Sequence, residues 1–150
     1  MSVITRFPKL SAVFWLRFPR LSRWQWWQWG KLVGALLPLL LLLSGVRHPL
    51  AWAVALHLFC DFTAQSATTV TGKEHHEWRI LAYHGFIAGG WPGLLVAGLP
   101  GLLIGAVTHS LIDAANKFGF DDWRGPVLDQ LSHVLLILLL HFSAYWLTPW

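Results

Sequence analysis

From Leu32 onward the chain is a succession of apolar runs with short polar breaks, and neither strand-like alternation nor a two-faced helical pattern dominates. The first run, Leu32–Val46, is interrupted by Pro38; Pro49 to about Val70, Ile80 to about Leu99, Gly101 to about Ala115 and Val127 to about Leu147 follow. The pattern predicts an all-α protein, a polytopic membrane helix bundle of about five transmembrane helices: a four-helix core plus an added N-terminal span. A crossing needs about 20 residues. The first and fourth runs fall short of that and are accommodated by tilt, local thinning of the bilayer or partial re-entry. Leu99-Pro100-Gly101 is a turn signal that separates the third span from the fourth. Residues 1–31 form an interfacial arm and residues 32–150 the transmembrane domain.

Polar residues interrupt these runs in a repeated spacing: His57-x-x-x-Asp61, His109-x-x-x-Asp113 and the reversed Asp129-x-x-x-His133. Residues four apart share one helix face about one turn apart, so each pair aims an imidazole and a carboxylate at a common target. An ionisable group at membrane depth costs about 3 kcal/mol or more, which makes each a functional candidate. With His84 they form a set of seven at similar depth: His57, Asp61, His84, His109, Asp113, Asp129 and His133.

Composition agrees with the class. With 55% hydrophobic and 12% charged residues over 150 positions, the chain carries too much apolar surface for a soluble domain. The single cysteine, Cys60, excludes an internal disulfide and any two-cysteine metal motif. Placing the N-terminus in the cytoplasm puts Arg6, Lys9, Arg17, Arg20, Arg23, Lys31, Lys73, Arg79, Lys117 and Arg124 inside and only Arg47 outside. This predicts a bacterial inner membrane protein, N-terminus cytoplasmic, C-terminus outside. The polar set then lies at the cytoplasmic end, although its residues played no part in the orientation. A signal peptide is the competing reading of residues 1–46, but the basic region is too long and no small-x-small cleavage site follows closely.

The arm mixes Trp15, Trp24, Trp26, Trp27 and Trp29 with Phe7, Phe14, Phe18 and several arginines. That is the composition of a segment lying in the headgroup region, an anchor to the lipid bilayer or a docking arm for membrane-protein partners. Single-stranded nucleic acid, which stacks on aromatic platforms, is not an expected partner for a segment that runs into a membrane span.

The run His57-Leu-Phe-Cys-Asp61-Phe-Thr-Ala-Gln65, with Lys73, His84, His109-Ser-Leu-Ile-Asp113-Ala-Ala-Asn-Lys117 and Asp129-Gln130-Leu-Ser-His133, resembles the bacterial membrane family known as domain of unknown function 3307 over about residues 50–142. The resemblance implies no assigned chemistry. More remotely the chain is similar in style to inner-membrane metal-dependent hydrolases. The arm and first span look like additions to the family core. Within that core, His-x-x-x-Asp-x-x-x-Gln followed by His84 is echoed by His-x-x-x-Asp-x-x-x-Lys followed by His133, a hint of two related hairpins with the site between them.

Imidazole and carboxylate ligands suit Zn, Mn or Fe, and helical bundles build such sites from inward-facing side chains. Two divalent ions nearly balance Asp61, Asp113 and Asp129; one ion leaves a charge that Lys73 or Lys117 offsets. The expected centre therefore holds one or two ions, with Gln65, Lys73 and Gln130 as partners that orient ligands or contact substrate. Near the headgroup level it suits hydrolysis of a lipid or phosphoester, with Asp129 as general base and Lys117 stabilising developing negative charge. Ser110 and Ser132 adjoin site histidines but point to other helix faces, so no serine nucleophile competes. Three other readings stay open: a metal-free polar or proton-relay network, a haem-binding electron carrier using facing imidazoles, and a non-catalytic subunit of a larger membrane assembly. His141 is expected to be a packing residue, and His48, His75 and His76 to be solvated at the interfaces.

Overall fold

The computed structural model describes residues 23–115 and 124–147, all of its elements helical. Most of the predicted arm, residues 1–22, lies outside the described residues, as does Lys117. Helix α1 (Arg23–Ser44) ends where Gly45 turns left-handed at φ 69°. There Gly45 N–H donates to Leu42 O (3.3 Å) and Val46 N–H to Leu41 O (3.2 Å), the pair of bonds that closes a Schellman cap. Pro49 then opens α2 (Pro49–Leu58) in the first helical turn, where its missing N–H leaves nothing unsatisfied. The Trp52 indole N–H donates to Val46 O at 2.7 Å and ties the connection down.

Helix α2 runs on as a π-helical turn, Phe59–Thr63, and stops. The apolar segment read from the sequence as reaching about Val70 therefore ends at Thr63, and a separate helix α3 (Ala67–Glu74) follows. The reason is local: Ser66 is extended and its hydroxyl accepts from Thr69 N–H, so the chain restarts with an N-cap instead of continuing. Helix α1 lies antiparallel along this unit, Gly30 against Phe62 and Gly34 against the Leu58 carbonyl, with the Thr63 hydroxyl donating to Lys31 O at 3.0 Å.

Helix α4 (Trp78–Gly85) passes through a second π turn, Phe86–Gly90, into α5 (Trp91–Ala115), and the whole 38-residue stretch is apolar. It is not one rod. Ala97 and Gly98 leave helical geometry, Gly98 with φ 64° and ψ −153°, a combination essentially confined to glycine. The chain folds back so that Gly93 faces Gly101, Gly89 faces Gly105 and Gly85 faces Ala106 and Ser110. The turn thus falls slightly before the predicted Leu99-Pro100-Gly101, and Pro100 sits near the start of the returning arm, where proline is well tolerated. Helix α6 (Arg124–Leu147) completes the bundle antiparallel to α2, with His133 near His57 at one end and His141 near His48 at the other.

Among the described residues, three helices are long and apolar enough to cross a membrane, Trp27–Ser44, Trp78–Ala115 and Gly125–Tyr145, while Pro49–Thr63 is a shorter apolar helix. The bundle is polar within and apolar without. Leu40, Leu43, Leu99, Leu103, Leu111 and Leu131 are exposed, whereas His57, His109, His133 and Asp61 are among the largest fully buried side chains. A soluble protein reverses this distribution. Lipid supplies the missing cover for the leucines.

Candidate metal centre

Each of the seven residues singled out in the sequence sits at the same end of the bundle. His57 comes from α2 and Asp61 from the π turn that follows it. His84 lies in the last turn of α4, two residues before the second π turn begins. His109 and Asp113 lie on the returning arm of α5, and Asp129 and His133 on the first turns of α6. A π turn inserts one extra residue per turn, and such bulges are frequent at functional sites. Here each bulge begins two residues after a histidine of the cluster, and the first contains Asp61.

Among the described residues, three groups bring potential ligand atoms within 4.8 Å of one another: His57, Asp61 and His133; Asp61, His84 and His109; His109, Asp113 and His133. Successive groups share a residue, so six side chains form one continuous cluster. The imidazoles are packed closely, with ring centroids 4.0 Å apart for His109 and His133 and 5.1 Å for His84 and His109. Asp129 falls outside the three groups. Its carboxylate is 3.5 Å from His133 Nδ1, the ring nitrogen turned away from the cluster, and its backbone carbonyl accepts from that same nitrogen at 3.0 Å.

The cluster divides into a satisfied half and an unsatisfied half. In the first, His84 Nε2 lies 2.8 Å from Asp61 Oδ1, and the Gln65 amide lies 3.1 Å from His84 Nε2. The Gln130 amide donates to the other Asp61 oxygen and, at 3.3 Å, to Asp129. His57 Nδ1 lies 3.1 Å from Ala88 O and Nε2 3.1 Å from Gln130 Oε1, two acceptors of which a neutral ring donates to one. In the second half, His109 Nε2, His133 Nε2 and both oxygens of Asp113 are buried without a hydrogen-bond partner among the described residues. They face one another: His109 Nε2 is 3.4 Å from Asp113 Oδ2 and His133 Nε2 is 3.9 Å from Asp113 Oδ1.

Lys73 enters from α3. Its ammonium lies 2.9 Å from Asp113 Oδ2 and 3.5 Å from Asp61 Oδ1. Asp113 Oδ2 is therefore charge-paired with Lys73, while Asp113 Oδ1 has no such partner among the described residues. Burial works against the charge on Lys73, but the Asp61 and Asp113 carboxylates outweigh it and hold the ammonium above its ordinary range. Lys73, expected from the sequence as a partner of the cluster, is thus brought against two of its carboxylates.

The remaining histidines separate cleanly from the cluster. His75 and His76 are exposed, and His48 and His141 meet edge-on at the opposite end with centroids 5.6 Å apart. His141 lies two turns from His133, about 12 Å along the helix at 1.5 Å per residue. His141→Ala is therefore expected to leave metal content unchanged, and elemental analysis of the purified variant checks this. The Ser110 hydroxyl lies 3.0 Å from Leu81 O and 2.9 Å from Ala106 O, and that of Ser132 donates to Leu128 O (2.8 Å), so both hydroxyls are engaged with backbone carbonyls.

These features define an α-helical membrane protein with a buried histidine and aspartate cluster at one end of its bundle. The chain belongs to the family described as protein of unknown function (DUF3307), whose sequence profile matches residues 50–149. That range takes in every residue of the cluster and leaves α1 outside it. No curated protein and no solved structure matches the chain.

Proposed function

We propose that this protein is an integral membrane metalloprotein whose cluster binds a divalent ion, and that the ion serves hydrolysis of a lipid-linked or phosphate ester. The observation that carries the metal reading is the convergence of His109 Nε2, His133 Nε2 and Asp113 Oδ1, all buried and without a hydrogen-bond partner among the described residues, beside an Asp113 Oδ2 that is met by the Lys73 ammonium. Leaving a polar atom buried and unsatisfied costs about 1–3 kcal/mol, more for a charged one. A divalent cation satisfies the three atoms at once, and imidazole with carboxylate is a ligand set suited to Zn, Mn or Fe. The backbone carbonyl that orients His133 is the kind of outer support that metal-binding histidines generally have. Haem is disfavoured. His109 and His133, 4.0 Å apart by centroid, are at stacking distance and leave no room for a porphyrin between them.

In this reading the two arms of the folded 78–115 stretch, Pro49–Thr63, α1 and α6 make five crossings, with the N-terminus and the cluster at the cytoplasmic face of a bacterial inner membrane. A divalent ion there supplies a Lewis acid and a water of lowered pKa. Asp129, at the margin of the cluster, is suited to take the proton from that water. Lys117, beyond Asp113 in sequence, supplies positive charge to an anionic headgroup. A lipid substrate is favoured over a soluble ester by a recess of about 300 Å³ between α1 and α6, lined by Trp29, Val33, Phe62 and Val134 and bordered by Gln130. The Gln130 amide reaches Asp61, so the recess and the cluster share a wall.

The test is elemental analysis of protein purified in mild detergent without chelator, followed by resupply of Zn, Mn or Fe and a screen of phospholipids and phosphoesters. The expected result is a stoichiometric divalent ion and an ester cleavage that chelator abolishes and metal restores. No metal after resupply overturns the metalloprotein reading and leaves a polar network in a partner-binding subunit. Metal without cleavage of any ester overturns the hydrolase reading alone.

A further inference from the structure

We infer that the Lys73 ammonium occupies the place of a second metal ion, which makes the centre mononuclear. The inference rests on the metal reading above and adds how many ions the cluster takes and what limits the number. Two of the ligand groups, Asp61 with His84 and His109, and Asp113 with His109 and His133, share His109 and stand side by side. A two-metal centre would put one ion in each, about 3.5–4 Å apart. Lys73 instead places its ammonium between the two carboxylates, 3.5 Å from Asp61 and 2.9 Å from Asp113, one from each group.

Hydrogen bonding points the same way. The Asp61 group is already occupied internally, His84 and Gln130 both bonding to the Asp61 carboxylate. The atoms without a hydrogen-bond partner, His109 Nε2, His133 Nε2 and the Asp113 oxygens, all belong to the Asp113 group. Charge balance agrees: with neutral imidazoles, Asp61, Asp113 and Asp129 bring three negative charges, which Lys73 and one divalent ion cancel. A second divalent ion alongside Lys73 leaves an excess of two positive charges in a low-dielectric interior, a severe penalty. The side chain of Lys73 is only 17% exposed, and α3 carries it to the cluster from a short helix of its own. That helix is anchored by the Ser66 cap at one end and by Gly72 against Ile80 at the other, so the ammonium is delivered by built structure and not by a wandering side chain.

The experiment loads the full chain in detergent with Zn²⁺, removes excess by desalting, and counts ions per chain in the wild type, Lys73→Met and Lys73→Arg. The expected counts are one, two and one. Two ions in the wild type, or one in a folded Lys73→Met, overturns the inference while leaving the metal reading intact; none in any of the three overturns the metal reading itself. Electron paramagnetic resonance of the Mn²⁺-loaded proteins distinguishes a built pair from surface binding. The wild type is expected to show an isolated-ion six-line signal, and Lys73→Met the broadened signal of two coupled ions. A coupled signal in the wild type overturns the inference even if the variant fails to fold.

Discussion

His109→Ala is expected to abolish metal retention while leaving the metal-free fold at least as stable as that of the wild type. His109 belongs to two of the three ligand groups, and its Nε2 is among the buried atoms without a partner. Changing a residue that merely supports a ligand weakens metal affinity about 10- to 100-fold, so removing a shared ligand should exceed the upper end of that range. The stability expectation has the opposite sign from that for an ordinary core residue. Removing a well-packed buried side chain usually costs several kcal/mol, but here the lost group is a polar one whose burial is itself unfavourable without an ion. Thermal unfolding in detergent separates the two cases. Saturating metal at 100 times its dissociation constant should stabilise the wild type by about 2.7 kcal/mol and should not move the variant. A His109→Ala protein that keeps its full complement of metal, or one that unfolds far below the metal-free wild type, would mean that the imidazole serves packing and not coordination.

The cluster was legible in the sequence because its spacing obeys helix geometry. Ionisable residues in apolar runs are few, and the i, i+4 pairs at His109 and Asp113 and at Asp129 and His133 need only an α-helix to bring them to one face. Neighbouring helices were enough to collect the rest. Three features were not legible for physical reasons. The π turns at 59–63 and 86–90 leave no signature in an apolar pattern, since one extra residue in a turn changes the direction of a side chain without changing hydropathy. The sequence points to Lys73 as a partner of the cluster, but its seat between Asp61 and Asp113 depends on where a short polar helix docks, which is a tertiary property. The division of labour between Asp113 and Asp129 likewise depends on tertiary placement: both carry the same spacing to a histidine, yet one faces the ligand nitrogens and the other the far side of the His133 ring. The hairpin contact, by contrast, has a signal in the sequence. Gly85, Gly89 and Gly93 recur every fourth residue, as do Gly101 and Gly105, the small-residue spacing by which membrane helices approach closely.

Gly89→Val is expected to separate the two arms of that hairpin and to disable the metal centre with it. A β-carbon built on Gly89 meets the Gly105 carbonyl and the β-carbon of His109, so the obstruction is backbone on one side and a cluster residue on the other. Backbone cannot rotate away, and the arms must move apart. Overpacking of this kind costs about 1–3 kcal/mol in a soluble core. The expense here is compounded, because helices in lipid are held together chiefly by close packing and interhelical hydrogen bonds, with no hydrophobic force to restore them. Displacing His109 also breaks the convergence of its Nε2 with His133 and Asp113. Helical content measured by circular dichroism should survive, since each arm satisfies its own backbone, while unfolding temperature and metal content fall together. Gly90→Ala is the matched control: its added carbon comes no closer than 3.3 Å to the Leu102 carbonyl and 3.4 Å to Ala106, a fit that small adjustments accommodate. If Gly89→Val matched the wild type in both stability and metal content, the close approach of the arms would not be what positions His109, and the coupling between fold-back and site would be lost. If stability fell but metal remained, the centre would be held by α2 and α6 without help from the hairpin, which the sharing of His109 between two ligand groups argues against.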